Sequence, residues 1–327
     1  MRLVGAAVFA LTLLCPLTGV CAAEPMTVEA RIPLGQVRGR IDHLAIDLAR
    51  KRLFVAELGN NSVSVVDLAG RKVSKRLSGL KEPQGVGYVP ETDTLYIANA
   101  GDGSVRFFQG EGLPPSGRIE LGEDADNIRV DSATGRVYIG FGNGAIAILD
   151  TVSRRKIGEI KLKAHPESFQ LDPAGTKIWV NVPEGGQVAV LDRAAGKQVG
   201  TWPLKEARSN FPMAIDHDNR QVVIVARQPS RIIAFNEENG TIAAQSDTCA
   251  DADDVFVDSR RKRVYVSCGE GFVDVFEKQP SAFQRLDRVR TVSGARTSLF
   301  VSDLDRLFLA VRASGGEPAA IWILRPQ

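Results

Sequence analysis

A unit of about 42 residues recurs seven times along the chain, and this repeat restricts the possible folds more than any other feature. Each copy contains one apolar strand of the same form, and successive strands are 41 to 44 residues apart. A period in this range is typical of four-stranded propeller blades. The seven strands are RLFVAE (52–57), TLYIAN (94–99), RVYIGF (136–141), KIWVNV (177–182), QVVIVA (221–226), RVYVSC (263–268) and RLFLAV (306–311).

Every unit follows one plan. A short apolar strand, such as HLAID or NIRVD, leads through a tight turn into the strand of the repeat. A hairpin turn rich in Asn, Asp, Gly or Ser follows, and these residues tolerate the positive φ of tight hairpins. The third strand is again apolar, and the fourth is more polar, as expected of a blade edge that faces solvent.

The two ends of the chain complete each other. The seventh unit stops after its third strand, AAIWILRPQ, whereas MTVEARIPL near the start belongs to no unit. We expect Thr27–Leu34 to pair with Ala319–Leu324 and so close the ring without an open edge. The predicted fold is all-β: a seven-bladed β-propeller of four-stranded blades, formed by residues 24–327 as a single domain.

The segments RLFVAELGNNSVSVVDLAGRKVSKRL and TLYIANAGDGSVRFF resemble the YVTN-type, or YncE-like, β-propeller repeat of exported bacterial proteins. The resemblance covers residues 38–327. It implies the propeller fold, and it implies a binding or surface module, because the members of that family share no common active site. Function therefore has to be argued from particular residues.

Residues 1–23 differ from the rest. Arg2 precedes an uncharged apolar run, and the small residues Ala22 and Ala23 stand just before the charge of Glu24. This pattern predicts a secretory signal peptide cleaved near Ala23, and hence a periplasmic or secreted protein. A membrane anchor is the alternative, although Pro16 interrupts a run that is already short for a bilayer. A lipoprotein signal is a second alternative, although Val20 stands where a small residue is expected before the cysteine.

The remaining composition restricts partners only weakly. The net charge of +2 indicates no particular partner, and no later segment is apolar enough to span a membrane. We expect a monomer. Cys249 and Cys268 are the two cysteines that remain after cleavage, and in an oxidising compartment they are predicted to form a disulfide.

Aligning the seven units distinguishes polar positions with a structural role from those with a candidate functional role. At the end of the first strand five units carry aspartate, which we interpret as an acceptor for backbone N–H groups in the following turn. These residues are Asp47, Asp131, Asp172, Asp216 and Asp258. Just upstream, where the chain approaches the innermost strand, the positions stay polar but the residue type changes from blade to blade.

Such variation on a repeated scaffold is what one asymmetric ligand site would produce, although any solvated channel mouth would also be polar. Acids dominate these positions, and Arg40, Arg208 and Arg296 oppose them. The predicted site, at the upper mouth of the central channel, comprises Arg40, Asp42, His43, Asp124, Asp126, His165, Glu167, Asp251, Asp253 and Arg296.

A divalent cation such as Ca²⁺ is a further hypothesis, since hard cations prefer oxygen ligands. Its candidate ligands are Asp126, Asn127, Glu167 and Asp253. His43 and His165 lie on non-adjacent blades, which argues against a shared Zn²⁺. The chain has no G-x-S-x-G elbow, P-loop, dinucleotide fingerprint or C-x-x-C-H motif, so the corresponding catalytic classes and a covalently bound haem are disfavoured.

The turns of the opposite, lower face are basic: ARKR (49–52), GRK (70–72), SRRK (153–156) and SRRKR (259–263). They suggest an anionic partner there, or simply a solvated face with counter-ions. The leading functional interpretation is a non-catalytic scaffold that binds an unknown small molecule or protein at the acidic upper mouth. A metal-dependent hydrolase or lactonase, and an accessory subunit of a periplasmic redox enzyme, are the alternatives.

Overall fold

A computed structural model describes residues 24–173, 175–279 and 281–327. The predicted signal peptide, residues 1–23, lies outside this part of the chain. The described residues form 28 strands in seven antiparallel four-stranded sheets, with two 3₁₀ turns at Leu58–Asn60 and Pro90–Thr92. The predicted all-β, seven-bladed fold is confirmed. None of the helical segments in these ranges has the length and apolar character needed to cross a membrane.

The strands are numbered in chain order, and each blade takes four of them. Blade one is β2 (Leu44–Asp47), β3 (Arg52–Glu57), β4 (Ser62–Asp67) and β5 (Lys72–Ser78). Blade two is β6 (Pro83–Val89), β7 (Thr94–Asn99), β8 (Ser104–Gln109) and β9 (Pro115–Glu120). Blade three is β10 (Ile128–Asp131), β11 (Arg136–Phe141), β12 (Ala145–Asp150) and β13 (Lys156–Lys161). Blade four is β14 (Phe169–Leu171), β15 (Lys177–Val182), β16 (Gln187–Asp192) and β17 (Lys197–Pro203).

The last three blades continue the plan. Blade five is β18 (Arg208–Asp216), β19 (Gln221–Gln228), β20 (Ser230–Asn236) and β21 (Ile242–Asp247). Blade six is β22 (Ala252–Asp258), β23 (Arg263–Cys268), β24 (Phe272–Lys278) and β25 (Phe283–Arg290). Blade seven is β26 (Ser298–Val301), β27 (Arg306–Val311), β28 (Ala319–Pro326) and, from the start of the chain, β1 (Met26–Gly35).

The first strand of each blade is innermost and lies against the first strand of the next blade, and β2 meets β26 to complete the ring. The core lies between blades, so the second and third strands are covered on both faces. This is why TLYIAN, in β7, is buried at every position instead of alternating. Phe54 of β3 and Leu95 of β7 share one inter-blade cluster, and neither is exposed.

Ring closure follows the prediction. Strand β1 pairs antiparallel with β28, with Ile32 opposite Ile321 and Val28 opposite Leu324. Ile32 and Leu34 are buried in the cluster that joins blades seven and one. The N-terminal strand therefore supplies both backbone hydrogen bonds and core side chains to the last blade.

The repeated aspartate has the predicted structural role. Asp47 Oδ1 accepts from the backbone N–H of Arg50 at 3.1 Å, and Asp258 Oδ1 accepts from that of Arg261 at 3.2 Å. Asp131 and Asp216 make the equivalent contacts with residues three further on. Each of these four aspartates thus satisfies a donor in the turn between the first two strands.

Several basic residues of the lower face pair with carboxylates of the neighbouring blade. Arg50 joins blade one to Asp93 of blade two at 2.7 Å, and Arg261 joins blade six to Asp305 of blade seven at 2.6 Å. These ion pairs bridge successive blades and neutralise part of the basic surface. An anionic partner on this face remains a prediction.

Candidate functional site

Residues just before or at the start of the innermost strands, together with Arg227 of β19, converge on one pocket of about 320 Å³ at the upper mouth of the channel. Side chains from all seven blades line it, and nine of the ten predicted residues are among them. The lining is Arg40, Asp42, His43, Gln84, Asp124, Asp126, Asn127, His165, Glu167, Ser168, Phe211, Arg227, Asp253 and Arg296.

A sharp backbone turn positions these side chains. At the position equivalent to Arg40, the backbone is left-handed in blades two, three, five, six and seven, at Glu82, Asp124, Ser209, Asp251 and Gly294. The carbonyls of Glu82 and Asp251 accept from Ala100 and Gly269, just after the second strand, at 3.0 and 2.8 Å. The turn is therefore held by the second strand and directs the next residues into the channel. Such conformations cost about 1–3 kcal/mol in non-glycine residues and need support of this kind.

Two arginines and one aspartate differ from the prediction. Asp251 does not line the pocket; its side chain is 41% exposed and pairs with Arg296 at 2.6 Å. Arg208 begins β18 on the exposed surface, opposite Gln228, so it does not oppose the acids. Arg227 takes this role instead.

Arg227 was not predicted at the channel mouth; Gln84, Ser168 and Phe211 were not predicted as site residues, although they occupy the same positions of the repeat as Asp42 and His43. Arg227 lies near the end of β19, which is two residues longer than most second strands of the repeat. Its guanidinium stacks over the Phe211 ring at 3.9 Å. One signal was available: only Arg227 and Arg312 are basic at this position of the repeat, where the other units have small or apolar residues.

One side of the pocket is an arginine–carboxylate network. Arg40 pairs with Asp42 at 2.6 Å, Arg227 pairs with Asp253 at 2.5 Å, and Arg296 pairs with Asp253 at 3.0 Å. Asp42 is 2% exposed, and burial raises its pKa to about 6 although Arg40 opposes the shift. Buried charges cost free energy unless they are paired, and these pairs offset that cost.

The other side is centred on Asp126. His43 Nε2 is 3.7 Å from Asp126 Oδ1, and His165 Nε2 is 3.9 Å from Asp126 Oδ2, both too long for hydrogen bonds. The two histidines, far apart in sequence, thus flank one carboxylate. Among the described residues, Asp126 Oδ1 and Asn127 Oδ1 have no hydrogen-bond partner.

The pocket shifts the pKa values of several of its side chains. Burial and the charge of Asp126 raise the pKa of Glu167 to about 8. Burial disfavours the imidazolium of His165, but Asp126, the Gly142 carbonyl and Asp124 outweigh it and raise its pKa to about 9. Burial lowers the pKa of His43. At neutral pH, therefore, His165 is cationic and Glu167 is largely protonated. Perturbed groups of this kind cluster at functional sites.

The four candidate metal ligands, Asp126, Asn127, Glu167 and Asp253, all line the pocket. Within residues 24–173, 175–279 and 281–327, however, no three His, Cys, Asp or Glu side chains are grouped so that they could hold a metal ion. The Ca²⁺ hypothesis gains no geometric support, and neither enzymatic nor redox alternative is favoured by the described contacts.

The predicted disulfide is present. Cys249 and Cys268 are bonded, with Cα atoms 5.9 Å apart, and both are buried. The bridge ties the segment before β22 to the end of β23. It thereby restrains the backbone that leads to Asp253.

Comparison with known proteins confirms the architecture. No protein-family model matches the chain, and no curated protein is similar to it. A chain in the crystal structure of a mitotic checkpoint complex is similar in structure, with a TM-score of 0.78, 13% identity and 99% coverage of both chains. Hydrazine synthase of Kuenenia stuttgartiensis gives a TM-score of 0.75 at 16% identity, over 88% of this chain and 97% of that one. At these identities the similarity shows the fold alone, a seven-bladed β-propeller.

Proposed function

We propose that this protein is an exported, non-catalytic binding scaffold whose upper channel mouth holds a small polar ligand. The observation that carries the proposal is the pocket itself. Seven copies of one structural unit present different charged side chains to a single cavity of about 320 Å³. Repetition alone would place the same residue type in every blade.

The burial of these charges supports the same conclusion. Asp42 and Asp126 are 2% and 5% exposed, and ionised groups at such depth destabilise a fold unless they are compensated. Blades pack through their apolar second and third strands, so the fold does not require charges at the mouth. A ligand that pairs with these groups gives a physical reason for their presence.

Export belongs to the proposal as well. It rests on the N-terminal pattern of Arg2, an apolar run and Ala22–Ala23, and it fits the disulfide between Cys249 and Cys268. We also propose membership of the YVTN-type family, on the repeat residues. Expression in a Gram-negative host followed by N-terminal sequencing of the periplasmic fraction should give a mature chain that begins at Glu24. Retention of Met1 in cytoplasmic protein would contradict export.

A thermal-shift panel tests the binding function. Amines, amino acids, organic acids, sugars and nucleosides are added singly, and compounds that raise the melting temperature are measured by calorimetry. At least one should bind the wild type, and its affinity for Arg227→Gln, which removes a pocket cation, should differ at least tenfold, being weaker for an anionic ligand and tighter for a cationic one. Asp303→Asn, on the exposed lower face, is the matched control and should bind normally. Binding that is equal in all three proteins, or no binding at all, would refute the proposal.

A further inference from the structure

We infer that the pocket recognises a primary ammonium group, held by Asp126, Asn127 and Glu167. This inference rests on the proposed function, and it specifies the class of ligand: a small organic amine. Its starting point is the uneven way in which the charges of the pocket are paired. Five carboxyl groups but only three guanidinium groups line the cavity.

All three guanidiniums are engaged with other acids. Arg40 pairs with Asp42, while Arg227 and Arg296 both pair with Asp251 and Asp253. Among the described residues, neither Asp126 nor Glu167 has an ion pair with a guanidinium. The cationic ring of His165 is the nearest charge partner of Asp126, but its Nε2 stays 3.9 Å away, so this corner leaves a position open for a closer cation.

Acceptor atoms at this corner are buried and unused. Asp126 and Asn127 are 5% and 2% exposed, and their Oδ1 atoms find no donor within the described part of the chain. Leaving such an atom without a partner destabilises the folded protein. Ordered water or a ligand must therefore supply the donors, and the atoms belong to residues that line the pocket.

The neighbouring histidines do not take this role. His165 Nδ1 lies 2.6 Å from the Gly142 carbonyl, which directs its ring, and its Nε2 stays 3.9 Å from Asp126. His43 Nε2 is 3.7 Å from both Asp42 and Asp126. These distances leave Asp126 without a direct donor from either ring.

A primary ammonium fits the donor requirement. It carries three N–H donors and no acceptor, which matches two carboxylates and one amide oxygen. An anion would lie against the acids of this corner, and a neutral hydroxyl would donate only one hydrogen bond to its three acceptors. The described His, Cys, Asp and Glu side chains are not grouped as metal ligands are, which favours an organic cation over a bare metal ion.

Glu167 should couple binding to pH. The charged and titratable groups that act on it come from five blades: Arg40, Asp42, Asp126, His165, Arg227 and Asp253. Its pKa of about 8 means that it is mostly protonated at pH 7, whereas an ammonium favours the carboxylate. Binding at pH 7 should therefore release close to one proton, and affinity should rise as pH rises through 8. Alkyl ammonium groups keep their charge in this range.

The test is calorimetry with propylammonium chloride, and 1-propanol serves as the uncharged probe of the same shape. We expect the wild type to bind propylammonium, and to bind it at least tenfold more tightly than 1-propanol. Asp126→Asn should weaken binding at least tenfold, and Asp303→Asn should leave it unchanged. Heats measured at pH 7 in phosphate and in HEPES, two buffers without a primary ammonium group, report the protons released.

Glu167→Gln keeps the inference falsifiable if Asp126→Asn does not fold. This variant should bind more weakly, release less than half the protons of the wild type at pH 7 and show a smaller rise in affinity between pH 7 and pH 8, where His165 with its pKa of about 9 keeps most of its charge. Equal binding of propylammonium and 1-propanol, or proton release as large in Glu167→Gln as in the wild type, would overturn the inference. If an acid or sugar from the panel binds and depends on Arg227 while propylammonium does not, the ammonium site is wrong and the binding function stands.

Discussion

At the scale of single residues, the channel mouth balances charge against burial. Asp42, Glu167 and Asp254 all have raised pKa values, and in each case burial is the main cause. Asp126 behaves differently: burial would raise its pKa, but His165, His43 and Arg40 lower it. One buried acid thus stays ionised while its neighbour Glu167 holds a proton. Two carboxyl groups in one pocket whose pKa values are shifted in opposite directions are characteristic of functional sites.

This balance predicts how stability depends on pH in the absence of ligand. The folded protein holds the Glu167 proton more tightly than the unfolded chain, with a pKa of about 8 against 4.5. The stability it contributes is complete below pH 4.5 and is lost as pH rises towards 8. Glu167→Gln should therefore show a flatter fall in urea midpoint between pH 5 and pH 8. His165, whose pKa is raised to about 9, should leave both proteins less stable above pH 6.5. Parallel curves for the two proteins would contradict the assignment.

Gly85 shows how closely two blades approach beside the pocket. A Cβ atom at this position would lie 1.9 Å from the carbonyl oxygen of Asp126 and 3.0 Å from Ile128 Cγ1. Gly85→Ala should destabilise the protein by about 1–3 kcal/mol, because backbone must move to make room. Gly112→Ala is the control: its nearest neighbour is 4.0 Å away, at Pro114 Cδ. Urea unfolding compares them, and equal midpoints would show that the approach is not tight.

At the scale of elements, the disulfide links the start of blade six to the end of its second strand. Cys249 and Cys268 are 19 residues apart, and closing a loop of this size stabilises a fold by roughly 3 kcal/mol on the chain-entropy estimate. The Cys249→Ser, Cys268→Ser double variant should lose about that much in urea unfolding. Unreduced wild type should carry no alkylated cysteine after treatment with iodoacetamide under denaturing conditions. Two alkylated cysteines in periplasmic protein would show that the bridge does not form.

At the scale of the whole molecule, stability depends on a strand that comes from the opposite end of the chain. Removing residues 24–35 would expose the edge of β28 and delete the buried side chains of Met26, Ile32 and Leu34. Each such side chain contributes about 1.5–3 kcal/mol through burial. The truncated protein should melt at a much lower temperature or aggregate. A synthetic peptide of residues 24–35 should partly restore the melting temperature, and an unchanged melting temperature without it would contradict ring closure.

Sequence alone determined the ring, its seven blades and the strand that closes it. These features follow from local and periodic patterns: a period near 42 residues, apolar strands buried on both faces, and an unpaired strand at each end. The aspartate of the first turn was also predictable, because its partner lies only three residues further on. These patterns occur in nearly every unit, so an alignment of the seven units shows them repeatedly.

Only the tertiary structure decided how side chains from different blades meet. His43 and His165 flank the same carboxylate, Arg227 replaces Arg208, and Asp251 pairs with Arg296 without lining the pocket. These contacts depend on distances across the ring and on left-handed turns such as that at Asp251. The repeated sequence pattern shows which residues every blade requires for its own fold. It does not show which residues of different blades face each other across the channel. That pairing, which sets the charge of the pocket, exists only once the ring has closed.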